Sequence, residues 1–124
     1  MSDLAQRVRI KRVYDAPARG DGARILVDRL WPRGISKERA DLDAWRQELA
    51  PSTELRRFYG HRPERFSDFT QRYQAELRRP DAVAALTDLA RLAKRRPVTL
   101  LTASRDLDRS EAAVLQRRLR ARLR

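Results

Sequence analysis

The sequence predicts a single small α/β domain with a short mixed sheet of about three strands, at least two of them parallel, covered by about five helices. Two apolar runs, Ile25 to Val27 and Val98 to Thr102, are typical of strands that are covered on both faces. Apolar residues at helical spacing fill most of the chain between and after them. Strands joined through a helix lie parallel when they share a sheet, so these two runs are expected to be parallel.

The first predicted strand, Val8 to Tyr14, alternates apolar and charged residues and is typical of a half-exposed edge strand. The turn-rich stretch that follows, through Arg19 to Gly22, is too short to hold a crossover helix. We therefore expect this strand to pair antiparallel with the second predicted strand, Ala23 to Leu30.

Four helical segments are predicted before the last strand. The short second segment, which carries Leu55, Phe58 and Tyr59, has Ser52 or Thr53 as its N-cap and is closed by Gly60. The others span about Leu42 to Leu49, Pro63 to Arg79, and about Asp81 to Arg95. The third strand, Val98 to Thr102, follows Pro97, and a final helix starts at about Ser110.

The 124 residues have the length of one domain, 1–124, with a disordered tail expected over residues 1–6. No apolar run approaches the roughly 20 residues that span a bilayer, and the N-terminus lacks the apolar segment of a secretory signal. We expect a cytoplasmic protein that does not contact membranes. With no cysteine and a single histidine, the sequence predicts no metal site, and we expect no cofactor.

The formal net charge is +12 and the pI is about 11.4, which is typical of proteins that bind nucleic acid. Only three of the 29 basic residues are lysine. This preference for arginine has two interpretations, bidentate recognition of phosphate or carboxylate and a genomic bias toward arginine and alanine. The basic residues are spread along the chain among 17 acidic ones, whereas a protein that tracks phosphates concentrates them in a stripe.

The two buried strands both end in polar residues, and this predicts a binding site. Ligands of open α/β sheets bind outside the carboxyl ends of parallel strands. The second and third predicted strands therefore bring together a candidate ligand site made of Asp28, Arg29, Trp31, Arg33, Gly34, Thr102, Ser104, Arg105 and Asp106.

Each residue type in this candidate site has a chemical reason to be there. Arg29 and Arg33 can clamp an anion, with Asp28 and Arg105 orienting them. Trp31 would form a wall, and Gly34 allows a turn or a close approach to a ligand. The alternative is structural: Asp28 pairs internally with Arg29 or Arg105, and Trp31 packs under the crossover.

Catalytic groups are less evident in the sequence. His61 is a weak candidate for proton transfer, with a loop histidine bonded to backbone as the alternative. Asp41 and Asp43 look like first-turn residues that complement a helix dipole, so no carboxylate pair is expected. Ser110 caps the last helix or, alternatively, marks a helix N-terminus that binds an anion.

Several motifs together resemble the small bacterial YeaO-like family, domain of unknown function 488. The resemblance implies a small cytoplasmic α/β domain without an established activity. The residues that carry it are Leu26 to Gly34, Lys37-Glu38, Asp43 to Trp45, Glu48 to Ser52, Leu55-Arg56, Gly60-His61, Phe69, Arg72-Tyr73, Glu76-Leu77, Thr99 to Leu101 and Arg105-Asp106.

Three functional hypotheses follow, and no enzyme class is assigned. The first is a protein that binds a small phosphate- or carboxylate-bearing ligand at the strand ends. The second is a nucleic-acid-associated basic module that uses the arginine-rich surface and the last helix. The third is a structural or protein-interaction domain without a small ligand, and the sequence leaves the oligomeric state open.

Overall fold

The computed structural model describes residues 3–124, which form a sheet of four parallel strands in the order β1-β4-β2-β3. The strands are β1 (Val8–Arg12), β2 (Ala23–Leu26), β3 (Ala44–Trp45) and β4 (Val98–Thr102). The α-helices in this part of the chain are α1 (Lys37–Ala40), α2 (Thr53–Tyr59), α3 (Phe66–Glu76), α4 (Pro80–Ala93) and α5 (Glu111–Arg122). The predicted α/β class is confirmed, with four strands instead of about three.

The central strand is β4, and all five of its residues are buried. It pairs with β1 along its whole length, from Val8 opposite Val98 to Arg12 opposite Thr102, and with β2 on its other side. A strand that is paired on both edges and covered on both faces has no solvent-exposed position. This explains why the sequence of β4 contains no charged residue.

The antiparallel pairing expected between the first two strands is wrong. β1 and β2 both run parallel to β4, which lies between them. The connection from 13 to 22 contains only a short 3-10 turn, Arg19–Asp21. Ten extended residues reach up to about 33 Å, so this loop crosses β4 and returns without a helix. β1 does lie at an edge of the sheet, as its alternating pattern predicted.

The helix predicted over Leu42 to Leu49 is also wrong. This segment instead forms β3 and a 3-10 turn, Gln47–Leu49, after the short helix α1. The Asp43 carboxylate accepts the amide N–H of Arg24 at 2.8 Å, and the amide of Arg46 donates to the Leu26 carbonyl at 2.9 Å. The unpaired edge of β2 thus recruits the segment as a strand, and Asp43 bonds to the sheet instead of facing a helix dipole.

The other predicted elements are present with shifted ends. Ser52 is the N-cap of α2 and Gly60 is its C-cap. The helix predicted from Pro63 begins as a 3-10 turn, Pro63–Arg65, and continues as α3. The N-terminal segment Leu4–Arg7 is a 3-10 turn with Ala5 buried, so the disordered tail predicted for residues 1–6 does not extend over 4–6. The first two residues of that prediction lie outside the described residues.

The sheet separates two apolar clusters. The larger one contains Ile25 and Leu100 together with buried residues of α2 to α5, including the stacked rings of Tyr59 and Phe69. The smaller one lies on the opposite face and contains Leu26 and Leu101. Alternate residues of β2 and β4 thus face opposite clusters, and both strand ends lie between them. No helix in residues 3–124 combines the length and apolar character needed to cross a membrane.

Candidate functional site

The carboxyl ends of β2 and β4 open into a cavity of about 610 Å³, which we call the strand-end cavity. Parallel pairing puts both ends on one edge of the sheet, as the sequence predicted. His61 lines the cavity, and so do all but one of the predicted ligand-site residues, namely Asp28, Arg29, Trp31, Arg33, Thr102, Ser104, Arg105 and Asp106.

Gly34 does not line the strand-end cavity. Its φ of 75° lies in the left-handed region, and a Cβ added there would meet nothing within 4 Å. Gly34 therefore provides the positive φ of the turn that follows Arg33. It does not provide a close approach of the backbone to a ligand in the cavity.

Asp28 is held by the end of β4. Its Oδ1 accepts a hydrogen bond from Thr102 Oγ1 at 2.7 Å, and its Oδ2 accepts one from the Ala103 amide at 2.8 Å. Arg29, Arg33 and Arg105 make no hydrogen bond or ion pair with Asp28 among the described residues. The expected orientation of Arg29 and Arg33 by Asp28 is therefore wrong, and so is the alternative of an internal ion pair between Asp28 and Arg29 or Arg105.

Glu111, the first residue of α5, completes a carboxyl pair that sequence reasoning missed. Thr102 Oγ1 lies 2.6 Å from Glu111 Oε1 and also accepts the Ser104 amide at 3.2 Å. A hydroxyl has one proton and two lone pairs. One hydroxyl proton cannot serve two carboxylates, and the Asp28 and Glu111 carboxyls are also hydrogen-bonded to each other, so the pair shares one proton.

The shared proton belongs to Glu111. Burial raises the pKa of this carboxyl well above its ordinary value, and the nearby Asp28 carboxylate raises it further. In the sequence Glu111 is an ordinary acidic residue in the first turn of a helix. Only the packing of α5 against the end of β4 makes it a member of the site.

Arg29 has a structural role at the cavity wall. Its Nε donates to the Pro51 carbonyl at 3.1 Å, and Nη2 approaches the Ala50 carbonyl at 3.4 Å. These bonds tie the chain after β2 to the segment that leads into α2. Two of its five N–H donors are engaged in these backbone bonds, so it has fewer donors left for an anion than the sequence suggested.

Arg33, Arg56 and Arg105 surround the cavity with exposed side chains. Within residues 3–124 their guanidinium groups have no hydrogen-bond or ion-pair partner. Arg56 was not among the predicted site residues because it belongs to α2, far from both strand ends in sequence. The backbone of Arg33 is fixed, since Tyr14 donates its hydroxyl to the Arg33 carbonyl at 2.7 Å.

The remaining predicted residues line the wall of the cavity. Trp31 donates from Nε1 to the Ile35 carbonyl at 2.8 Å and meets Trp45 edge to face, with ring centroids 5.5 Å apart. Asp106 forms an exposed ion pair with Arg109 at 3.0 Å.

The expectation that Ser110 caps the last helix is confirmed, since its Oγ accepts the Ala113 amide at 3.2 Å.

His61 lies at the mouth of the cavity in the left-handed region, with φ of 57° directly after Gly60 at 52°. Its ring is exposed and packs at a centroid distance of 6.2 Å from the ring of Tyr59. His61 therefore lines the same cavity as the ends of β2 and β4. No group of three or more histidine, cysteine or acidic residues capable of holding a metal occurs in the part of the chain that the structure describes.

Comparison with known proteins places this sequence in a family. Residues 7–124 match the family model described as "Inactive DUF488-N3 subclade". An uncharacterised protein of Mycobacterium tuberculosis H37Rv is 49% identical over 116 residues, which cover 94% of this chain and 96% of the relative. The uncharacterised protein YeaO of Escherichia coli K12 is 42% identical over 114 residues, 92% of this chain and 97% of the relative. No solved structure matches.

The chain therefore belongs to the YeaO-like family, domain of unknown function 488. This membership confirms the resemblance expected from the motif around Trp31. The relatives named above are uncharacterised and assign no activity or ligand to the family.

Proposed function

We propose that this protein binds a small anionic ligand, phosphate- or carboxylate-bearing, in the strand-end cavity in the cytoplasm. The observation that carries the proposal is the set of three exposed guanidinium groups, Arg33, Arg56 and Arg105, that surround one cavity without a partner in residues 3–124. A guanidinium presents a planar fork of donors that matches a phosphate or carboxylate in a bidentate way.

The concave site distinguishes these arginines from the many others on the surface. Guanidinium groups that share a cavity repel one another until an anion enters, and the low-dielectric walls strengthen their interaction with it. The net charge of +12 adds a long-range attraction for anions.

Binding without catalysis is the form of the proposal that we favour. The matching family model carries the word "inactive" in its description, which supports a binding role. His61 remains a candidate for proton transfer because it lines the cavity.

The first experiment compares wild-type protein with two double variants of equal net charge. Arg56→Ala/Arg105→Ala removes two cavity arginines, and Arg91→Ala/Arg117→Ala removes two exposed helix arginines elsewhere. Binding of phosphate, sulfate and small carboxylates is followed by the thermal midpoint at fixed ionic strength, since a ligand of the native state raises it. We expect the cavity variant to lose at least about tenfold in affinity, because charge-assisted hydrogen bonds contribute about 1.5–3 kcal/mol each.

Equal weakening of both variants would contradict a localised site and indicate general charge attraction. The nucleic-acid hypothesis predicts stabilisation only by oligonucleotides, with a loss of affinity of about 0.9 log unit per log unit of salt for each phosphate contact on duplex DNA. A protein-interaction domain predicts no response to any of these anions.

A further inference from the structure

The strand-end cavity has a floor and a rim of different chemistry. Thr102, at the floor, is fully buried and bonds to the half-buried carboxyls of Asp28 and Glu111. The rim arginines, Arg56 and Arg105 among them, are exposed. An anion is attracted to the rim and repelled by the carboxyl oxygens of the floor, so a bound ligand can place its charged group only at the rim.

The carboxyl oxygens at the floor can accept hydrogen bonds from a ligand. Three of the four carboxyl oxygens are engaged, both of Asp28 and Oε1 of Glu111. The Glu111 carboxyl is also hydrogen-bonded to the Asp28 side chain and to its own backbone amide, and both carboxyls line the cavity. Each carboxyl oxygen has two lone pairs, so Glu111 can accept a further hydrogen bond from a ligand that enters the cavity.

The size of the cavity excludes a simple ion as a well-fitted ligand. Its volume of about 610 Å³ lies in the range that holds drug-sized molecules. A second cavity of about 550 Å³ adjoins it and shares Arg56, His61 and Glu111. A bare phosphate ion at the rim would leave the floor and the second cavity unused.

We propose that the ligand is a hydroxylated phosphate ester, whose phosphate binds the arginine rim and whose hydroxyl groups donate to Glu111 at the floor. This inference rests on the proposed function and specifies its ligand class. A sugar phosphate and a nucleoside phosphate share this chemistry, and they differ in whether a planar base occupies the adjoining cavity beside Tyr59 and Phe69.

The test ranks four probes against wild-type protein at fixed ionic strength: inorganic phosphate, ribose, ribose 5-phosphate and adenosine 5′-monophosphate. We expect ribose 5-phosphate to bind at least about tenfold more tightly than phosphate, and ribose alone not to bind measurably. If adenosine 5′-monophosphate binds more tightly than ribose 5-phosphate, the ligand is a nucleoside phosphate. If the two esters bind with equal affinity, the ligand is a sugar phosphate.

Two variants locate the preference at the floor. In Glu111→Gln the carboxamide keeps a donor for Thr102 and an acceptor for the ligand, so the preference for ribose 5-phosphate over phosphate is retained. In Glu111→Met the side-chain length is similar but the acceptor is lost, so the preference for ribose 5-phosphate over phosphate, measured as the ratio of the two affinities, falls toward one.

The outcomes separate the two proposals. If phosphate binds as tightly as ribose 5-phosphate to wild-type protein, the floor inference is overturned while the proposed function stands. An unchanged preference in Glu111→Met overturns it as well. If no anion binds, the proposed function fails and the inference fails with it. Should Glu111→Met not fold, the wild-type ranking alone decides.

Discussion

At the scale of single residues, Gly22 is the position where a side chain is least tolerated. Its φ is 63°, and an added Cβ would lie 2.1 Å from the Pro97 carbonyl oxygen, which also accepts the Ala23 amide at 2.9 Å. With ψ of −131°, this backbone conformation is nearly closed to L-residues and costs them about 1–3 kcal/mol, and the clash adds to it. We expect Gly22→Ala to lower the free energy of unfolding by more than about 2 kcal/mol in urea denaturation.

Gly34→Ala is the matched control for this substitution. Gly34 has a similar φ of 75°, but nothing lies within 4 Å of the added Cβ. The cost is therefore the backbone strain alone, about 1–2 kcal/mol. Equal destabilisation by the two variants would show that the contact with Pro97 relaxes at little cost.

The carboxyl of Glu111 makes stability depend on pH. Its pKa is raised by burial and by Asp28, so the folded protein binds a proton that the unfolded chain releases near the ordinary value of 4.5. Its contribution to stability is fully present below that value and is lost as pH rises toward the raised pKa. We expect Glu111→Gln to gain stability relative to wild type as pH rises from 4.5, measured as thermal midpoints.

Other titrating groups are common to both proteins in this comparison, so their contributions cancel. Midpoints of wild type and Glu111→Gln that change in parallel across this range would contradict the assignment of the shared proton to Glu111.

At the scale of elements, the loop between β1 and β2 depends on Asp21. This buried carboxylate accepts from Arg24 Nη1 at 2.6 Å, Lys11 Nζ at 3.0 Å and the Ala18 amide at 3.0 Å. Burial tends to raise its pKa, but the Ala18, Lys11 and Arg24 bonds outweigh burial and lower it. The cluster holds the loop that carries the chain past β4.

Asp21→Asn leaves buried positive charge without its partner. Breaking a buried pair on one side costs about 3–5 kcal/mol, so we expect a loss of that order at pH 7 in urea denaturation. Because the pKa of Asp21 is lowered, its contribution to the stability of wild type is lost as pH falls below about 3.8. The free energies of unfolding of wild type and Asp21→Asn then converge. Asp106→Asn, in the exposed pair with Arg109, is the control and should change stability by less than about 1 kcal/mol.

At the scale of the whole molecule, the charge of +12 on 124 residues opposes compaction. Salt screens this repulsion, since the Debye length falls from about 30 Å at 0.01 M to about 10 Å at 0.1 M. We expect sodium chloride to raise the thermal midpoint over this range, and Arg91→Ala/Arg117→Ala to respond less than wild type. A midpoint that falls with salt would show that attractive surface pairs outweigh the net repulsion.

Pattern-based prediction succeeded where local sequence and packing agree. The unbroken apolar run Ile25 to Val27 indicates a strand buried on both faces, as β2 is, and the Ser52 and Ser110 caps mark the starts of α2 and α5. It failed over Leu42 to Leu49, where the helical spacing of three apolar residues predicted a helix. The segment forms a strand instead, because the open hydrogen-bonding edge of β2 pairs with it. It also failed for the pairing of β1, which is parallel to β4 instead of antiparallel to β2, because loop length alone does not reveal which strand a returning chain will pair with.

The sequence by itself determined the α/β class, the family and the edge of the sheet where charged residues meet, because these depend on periodicity and on the order of elements. Tertiary structure decided which of those charges are available. Arg29 is occupied by the Pro51 carbonyl, Arg56 reaches the cavity from α2, and Glu111 meets Asp28 through Thr102. These contacts join residues that are distant in sequence, and their protonation depends on burial, which only the packed molecule defines.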